Sequence, residues 1–265
     1  MPENFNFKDK YDITDLLEIM AILRERCPWD REQTHQSIRV NFLEETCEVL
    51  EAIDNGDAEL LREELGDVLL QVVFHSRIEQ EAGRFGFDGV ADGVCKKLIN
   101  RHPHIFGDIK ADTADAVLRN WDEIKKTEKS QKTHTEGLMS VPNTLPALMK
   151  AAKVQKRAAK AGFDWKNIAG ALDKLDEEVL ELKKAILQKN DQAIFEEFGD
   201  LLFSAVNVSR FIGVEPEQSL GAATGKFIAR FAGVEELAAA RGIDMASASL
   251  EELDRLWDQV KAGAE

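Results

Sequence analysis

The feature that most constrains this chain is an acidic cluster that occurs twice, each time on helical spacing. The first copy reads Glu44-Glu45-x-x-Glu48 and then Glu63-Glu64-x-Gly66-Asp67; the second reads Glu177-Glu178-x-x-Glu181 and then Glu196-Glu197-x-Gly199-Asp200. Each acidic residue of the second copy stands 133 positions after its counterpart, and within each copy the two pairs are 19 residues apart. Residues three apart on a helix share a face, with Cβ atoms about 5–6 Å apart. Glu45 and Glu48 therefore project together, as do Glu64 and Asp67. Two such helices packed antiparallel bring four carboxylates to one spot, where they repel unless a cation sits among them.

The pattern between the acidic residues is helical throughout. Leu61, Leu65, Val68, Leu69, Val72 and Val73 form an apolar stripe of period 3.6, and Ile194, Phe198, Leu201, Leu202, Ala205 and Val206 repeat it. Residues 12–27, 88–101 and 114–128 also read as helices. Neither the alternation of a half-buried strand nor a close series of hairpin signals occurs, so the fold is expected to be all-α. Asp54-Asn55-Gly56-Asp57 and Gln188-Lys189-Asn190-Asp191 are turns between the paired acidic helices. Such short connections make the helices antiparallel neighbours in a bundle.

The repeat reaches beyond the carboxylates. Residues 63–74 and 196–207 share six of twelve identities, Lys97-x-x-x-Arg101 is matched by Lys226-x-x-x-Arg230, and Trp121-Asp122-Glu123-Ile124-Lys125 by Trp257-Asp258-Gln259-Val260-Lys261. This is a tandem duplication of one helical domain. The expected domains are 1–130 and 145–265, joined by a polar linker over 131–144 that contains Gly137 and Pro142.

Composition narrows the function. Formal net charge is −15, which disfavours direct binding to nucleic acid or to an anionic membrane. No apolar run approaches the roughly 18–20 residues needed to span a bilayer, and the first residues lack a signal-peptide pattern. Three scattered cysteines, Cys27, Cys47 and Cys95, with no C-x-x-C, fit a reducing cytoplasm.

An all-oxygen carboxylate set suits a hard cation, Mg²⁺ or Mn²⁺, which can bridge protein carboxylates to substrate phosphates. Lys226 with Arg230, and Lys97 with Arg101, each one helical turn apart, are candidate clamps on phosphate oxygens. The alternative for each pair is a solvated helix face or a salt bridge. Gly66 and Gly199, costly inside helices, are read either as a packing notch or as room for a ligand. Trp121 and Trp257 can stack on a base or belong to the core, while Trp29 and Trp165 are expected to pack where the chain enters each domain. Glu32-x-x-His35 is the single Glu-x-x-His, so a di-iron carboxylate site, which needs two, is disfavoured. His102-Pro103-His104 reads as a helix end. H-E-x-x-H, G-x-S-x-G and P-loop motifs are absent from the sequence.

Taken together, several motifs resemble the MazG family in its two-domain form. They are Cys27-Pro28-Trp29-Asp30, Leu43-Glu44-Glu45-x-x-Glu48, Glu64-Leu65-Gly66-Asp67-x-Leu69-Leu70 and Arg101-His102-Pro103-His104-x-Phe106 in the first half. Gly162-Phe163-Asp164-Trp165, the second acidic set, Lys226-Phe227 and Trp257-x-x-Val260-Lys261 continue the likeness in the second half. The resemblance implies a nucleoside triphosphate pyrophosphohydrolase that converts NTP or dNTP to NMP and pyrophosphate. It implies all-α domains that pair as homodimers, so that two subunits complete a four-helix core. The implied Mg²⁺ ligands are Glu178, Glu181, Glu197 and Asp200, with a second set at Glu45, Glu48, Glu64 and Asp67. The implied nucleotide contacts are Lys174, Glu177, Glu178, Glu197, Asp200, Lys226, Arg230 and Trp257, and Lys97 and Arg101 would serve phosphates at the first set. The C-terminal copy is the expected main catalytic one.

These residues suggest a mechanism. Mg²⁺ inverts the sign of the carboxylate field, Lys226 and Arg230 neutralise the far phosphates, and an activated water attacks. Glu177 is a candidate to orient or deprotonate that water, the alternative being a solvated helix residue. The competing reading is a nucleotide-sensing or partner-binding helical dimer whose metal sites are non-catalytic.

Overall fold

The computed structural model describes residues 5–107 and 133–263, with Thr113, Val117, Asn120, Trp121 and Ile124 between them. Among these residues every regular element is a helix, as the periodicity predicts. The helix expected over 114–128 falls largely outside the described residues. Contacts divide the chain into two units, Met1–Lys129 and Ser130–Glu265.

The first unit contains α1 (Ile13–Arg26), α2 (Pro28–Glu32), α3 (Arg39–Asn55), α4 (Ala58–Glu81), α5 (Phe87–Arg101) and α6 (Pro103–Phe106). Helices α3 and α4 form a tight hairpin. Gly56 ends α3 in the left-handed region at φ +67°, which glycine adopts without a Cβ penalty, and Asp57 caps α4 by accepting from the backbone N–H of Glu59 and Leu60. Helix α1 lies on α4, and their core is Met20, Ile38, Val73 and Phe74 with Leu16, Leu70 and Phe87 around it. Arg24 ties the corner together. Its guanidinium donates to the carbonyls of Asp30 (2.6 Å) and Gln33 (2.9 Å) and to Glu81 Oε2 (2.6 Å). The chain between α2 and α3 is thereby fixed against α4. His102-Pro103-His104 is the expected helix end: His102 caps α5 and Pro103 opens α6.

The second unit contains α7 (His134–Met139), α8 (Ala147–Lys160), α9 (Ile168–Gln188), α10 (Asp191–Phe211), α11 (Pro216–Ala240) and α12 (Leu250–Gly263). Helices α9 and α10 repeat the hairpin. Here Lys189 takes the left-handed position at φ 53°, and Asn190 caps α10 by accepting from Ala193 N–H. Helix α8 packs on α10, with Gln155 Nε2 donating to Phe203 O at 2.7 Å. Helices α11 and α12 share a core of Val234, Ala238 and Leu256, bordered by Trp257 and Val260. Gly233 permits that approach, since a Cβ there would lie 2.9 Å from Val260 Cγ1.

The segment expected to be linker, 131–144, carries helix α7. Thr133 and Glu136 form a reciprocal capping box that starts it, and Arg157 on α8 donates to Gly137 O and Ser140 Oγ. Polar composition alone hides such a helix, because side-chain capping and one arginine hold it rather than an apolar face.

Candidate metal and nucleotide site

In the first hairpin, carboxylate oxygens of Glu45, Glu48 and Glu64 all lie within 4.8 Å of one another. Asp67 stands one turn beyond Glu64 and raises the pKa of Glu45 and Glu64 by its charge. Both glutamates are shifted above the ordinary range, first by burial and then by their acidic neighbours. Gln71, one turn past Asp67, donates from Nε2 to Glu45 Oε1 at 3.4 Å, and its own Oε1 is buried without a partner. The repeat pattern gave no hint of Gln71 at this cluster, since the second copy has Ser204 at that place.

In the second hairpin the gathered oxygens belong to Glu178, Glu197 and Asp200, again within 4.8 Å. Glu181 is close enough to be the leading charge that, after burial, pushes Glu197 upward. Each copy thus brings three of its four expected acids together and keeps the fourth beside them; the outlying member is Asp67 in one and Glu181 in the other. Lys174 lies across the second cluster, its Nζ 2.8 Å from Glu178 Oε1 and 2.9 Å from Glu177 Oε1. Those two hydrogen bonds raise its pKa above the ordinary lysine value.

Such a donor set fits a hard divalent cation. Three carboxylate oxygens converge, two of the acids, Glu64 and Glu178, are 9% and 4% exposed, and like charges at this spacing lift one another's pKa until a cation or proton intervenes. Around each site a Cβ at Gly66 or Gly199 would meet nothing within 4 Å. The two glycines therefore leave open space and do not form a notch between helices of the described chain.

The cationic candidates are placed differently from the acids. Lys226 and Arg230 sit on α11, a helix that packs against α8 and α12. Arg230 lies over Trp257, 5.9 Å from its ring centre, and Phe227 packs on Trp257 at 5.2 Å. Trp257 is half-buried in the α11–α12 core. Among the described residues neither Lys226 nor Arg230 forms an ion pair. Lys97, exposed, and Arg101, half-buried, lie on α5, which packs on α4. Glu177 is exposed and engaged by Lys174. Trp29 and Trp165 are 59% and 46% exposed, so both stand at the surface of their units, Trp165 against Gly170.

One group of residues escapes the repeat altogether. His35 Nδ1 lies 2.7 Å from His75 Nδ1, His35 Nε2 lies 2.6 Å from Glu79 Oε1, and Arg84 pairs with Glu79. Arg84 first, and His35 next, hold the Glu79 carboxyl down at about 2. The available signal was His75-x-x-x-Glu79, one turn apart on α4 and in line with Asp67 and Gln71.

Fold and site together define a class: tandem all-α proteins whose helical hairpins gather carboxylates into clusters that fit a hard cation. Comparison with known sequences gives the family. The MazG nucleotide pyrophosphohydrolase domain matches residues 33–106 and again residues 167–234, spanning both hairpins. A nucleoside triphosphate pyrophosphohydrolase of Escherichia coli strain K12 is 45% identical over 257 residues, covering 94% of this chain and 97% of that protein. A nucleoside triphosphate pyrophosphohydrolase/pyrophosphatase MazG of Thermotoga maritima is 44% identical over 253 residues, covering 95% and 96%. The uncharacterised protein YabN of Bacillus subtilis is 46% identical over 236 residues, covering 89% of this chain and 48% of its own length. This chain belongs to the MazG nucleotide pyrophosphohydrolase family.

Proposed function

We propose that the chain hydrolyses nucleoside triphosphates, ribo- and deoxyribo-, to the monophosphate and pyrophosphate, and that the reaction runs at carboxylate clusters loaded with Mg²⁺, for which Mn²⁺ can substitute. The observation that carries this reading is the convergence of three carboxylate oxygens within 4.8 Å on each of two helical hairpins, in a chain of this family. In the second copy Glu178, Glu181, Glu197 and Asp200 would hold the cation; in the first, Glu45, Glu48, Glu64 and Asp67. When bound, the cation supplies charge neutralisation for the triphosphate and acidifies a coordinated water.

The protein's own residues do the rest. Lys174 already lies on Glu178, and on substrate arrival its ammonium turns from the carboxylate to a phosphate oxygen. Glu177, released by that movement, would accept the proton of the attacking water. Water adds to phosphorus, the P–O bond of the α–β anhydride breaks, and pyrophosphate leaves with its new charge neutralised by Lys226 and Arg230. Trp257, beneath Arg230, offers a face to the base.

A homodimer completes this arrangement. Leu43, Leu50 and Leu65 of the first hairpin are 62%, 53% and 52% exposed, and Leu180, Phe195 and Phe198 of the second are 64%, 78% and 53% exposed. Stripes of this kind beside charged clusters mark an association surface, and a second subunit covering them would form a four-helix core. We assign one domain to each unit, with the segment 131–144, which carries α7, belonging to the second. None of the helices among the described residues is long and apolar enough to cross a membrane, and all three cysteines are free; a cytoplasmic location suits both. Anion-exchange analysis of products from mixed NTPs with Mg²⁺ tests the activity. NMP with pyrophosphate is expected, and NDP with orthophosphate as primary products would overturn it.

A further inference from the structure

Next to the first carboxylate cluster lies a cavity of about 560 Å³, within the range of small-molecule sites. Its walls include Phe42 of α3, Val72, His75 and Glu79 of α4, Phe85 just before α5 and Val90 in the first turn of α5. Phe42 is one turn before Glu45 on α3, and His75 is two turns beyond Asp67 on α4. In an antiparallel hairpin both steps run the same way, away from the Gly56 turn. The cavity therefore continues the groove in which the carboxylates lie.

We propose that this cavity is the base-binding half of the first site: it takes the nucleobase of a triphosphate whose phosphates lie at Glu45, Glu48 and Glu64, and His75 Nε2 accepts a hydrogen bond from an N–H of that base. The inference rests on the reading of the first cluster as a cation and phosphate site. Its chemistry comes from a relay of hydrogen bonds. Glu79, an ionised carboxylate, accepts from His35 Nε2–H at 2.6 Å. We assign the pair the neutral tautomers in which His35 Nδ1 accepts and His75 Nδ1–H donates across the 2.7 Å contact. The second nitrogen of His75, Nε2, is then an acceptor with no hydrogen-bond partner among the described residues. Arg84, bound to Glu79, anchors the far end of the relay.

Stacking surface is also present. The imidazoles of His35 and His75 are parallel within 8° at 5.0 Å, and Phe42 lies 5.8 Å from His75. Phe42, tilted 48° to the His75 ring, supplies an aromatic wall beside the edge at which His75 would meet a planar base. Every common base presents an N–H donor at its pairing edge, so the acceptor selects for a base without naming one.

The second copy lacks this chemistry. In the register set by the carboxylates, Phe42, His75 and Glu79 correspond to Leu175, Val208 and Ile212. Two sites with the same carboxylates thus border different walls, one with a fixed hydrogen-bond acceptor and one aliphatic, and they are expected to differ in the bases they hold.

Calorimetric titration of the full chain in Mg²⁺ with α,β-methylene ATP, and separately with inorganic tripolyphosphate, tests this. Two nucleotide sites per chain are expected. His75→Val, which installs the second copy's residue, should weaken one of them by about tenfold, the worth of one good hydrogen bond, and leave tripolyphosphate binding unchanged. Purine riboside triphosphate, whose base has no N–H donor, should bind the unaltered first site as weakly as the variant binds the ATP analogue. His35→Ala, at a half-exposed position, should weaken the same site less. Unchanged nucleotide affinity in both variants, or an equal loss for tripolyphosphate, would overturn the proposal. A single nucleotide per chain, insensitive to Glu64→Gln, would overturn the reading of the first cluster itself.

Discussion

Lys174 Nζ lies 2.8 Å from Glu178 Oε1, whereas the corresponding place in the first copy, 133 residues earlier, is Asn41. Two clusters with the same four acids therefore sit in different fields. In the second, an ammonium group already offsets part of the repulsion that a cation would relieve. In the first, Gln71 Nε2–H does so more weakly, as a neutral donor at 3.4 Å.

Replacing Lys174 should separate its two roles. In Lys174→Met the cation no longer competes with an ammonium, so Mg²⁺ affinity of the second site without nucleotide should rise, by up to about fivefold for a half-exposed pair. The KM for NTP should rise as well, because a phosphate contact is gone. Mn²⁺ binding followed by electron paramagnetic resonance, beside steady-state kinetics, checks both. A fall in metal affinity would show that Lys174 orients the carboxylates instead of competing at them.

The acids themselves should rank by copy. Glu178→Ala or Asp200→Ala is expected to reduce pyrophosphate release by well over about tenfold, since even residues that merely support metal ligands cost that much. Glu45→Ala or Asp67→Ala should cost less. Equal losses in a pyrophosphate-release assay would show that the copies share turnover.

Acidity should govern metal-induced stabilisation. Glu45, Glu64 and Glu197 titrate above the ordinary glutamate value of 4.5, chiefly through burial and then through neighbouring carboxylates. A carboxyl whose folded pKa is raised binds its proton more tightly in the folded state. Its ionisation therefore costs stability, a cost absent below 4.5 and fully developed once pH has passed the raised value. A divalent cation offsets that cost and binds only the ionised form. The gain in Tm on adding Mg²⁺ should thus be small near pH 4.5 and grow toward pH 7. Glu79 and Glu81 act oppositely, being lowered by Arg84 and Arg24, but they contribute equally with and without metal. Scanning fluorimetry at several pH values, with and without Mg²⁺, measures the difference; a gain independent of pH would mean that the raised carboxylates are not the ligands.

Much of this arrangement is written in the chain. The hairpins follow from a 3.6-residue stripe and from turn residues whose chemistry is local, Gly56 with Asp57 and Lys189 with Asn190. The carboxylates follow from spacing, because a helix fixes which residues share a face. What spacing does not fix is which side chain swings inward, so the outlying acid differs between copies. Nor does it say which neighbour a helix meets. Lys226-x-x-x-Arg230 guarantees two cations on one face of α11, yet that helix packs on α8 and α12, and Arg230 meets Trp257. His35 and His75, 40 residues apart, come together where Arg24 and the buried Ile38 hold the chain between α2 and α3 against α4.

The exposed stripes lead to the remaining prediction. Leu43 and Leu65 on one hairpin, and Phe195, Phe198 and Leu202 on the other, stay accessible while Val73 and Val206 on the same helices are buried. Each hairpin thus has an inner apolar edge used within its unit and an outer one without a partner there. Covering the outer edges with a second subunit would bury on the order of 2,000 Å², the scale of obligate helical interfaces. Light scattering at low micromolar concentration should give about twice the chain mass of 29.7 kDa. Phe198→Glu, which places a charge in the middle of the outer stripe beside Glu197, should shift that mass toward the monomer and lower Tm, because folding and association are then coupled. A native chain that scatters as a folded, active monomer would show that each unit completes its core alone.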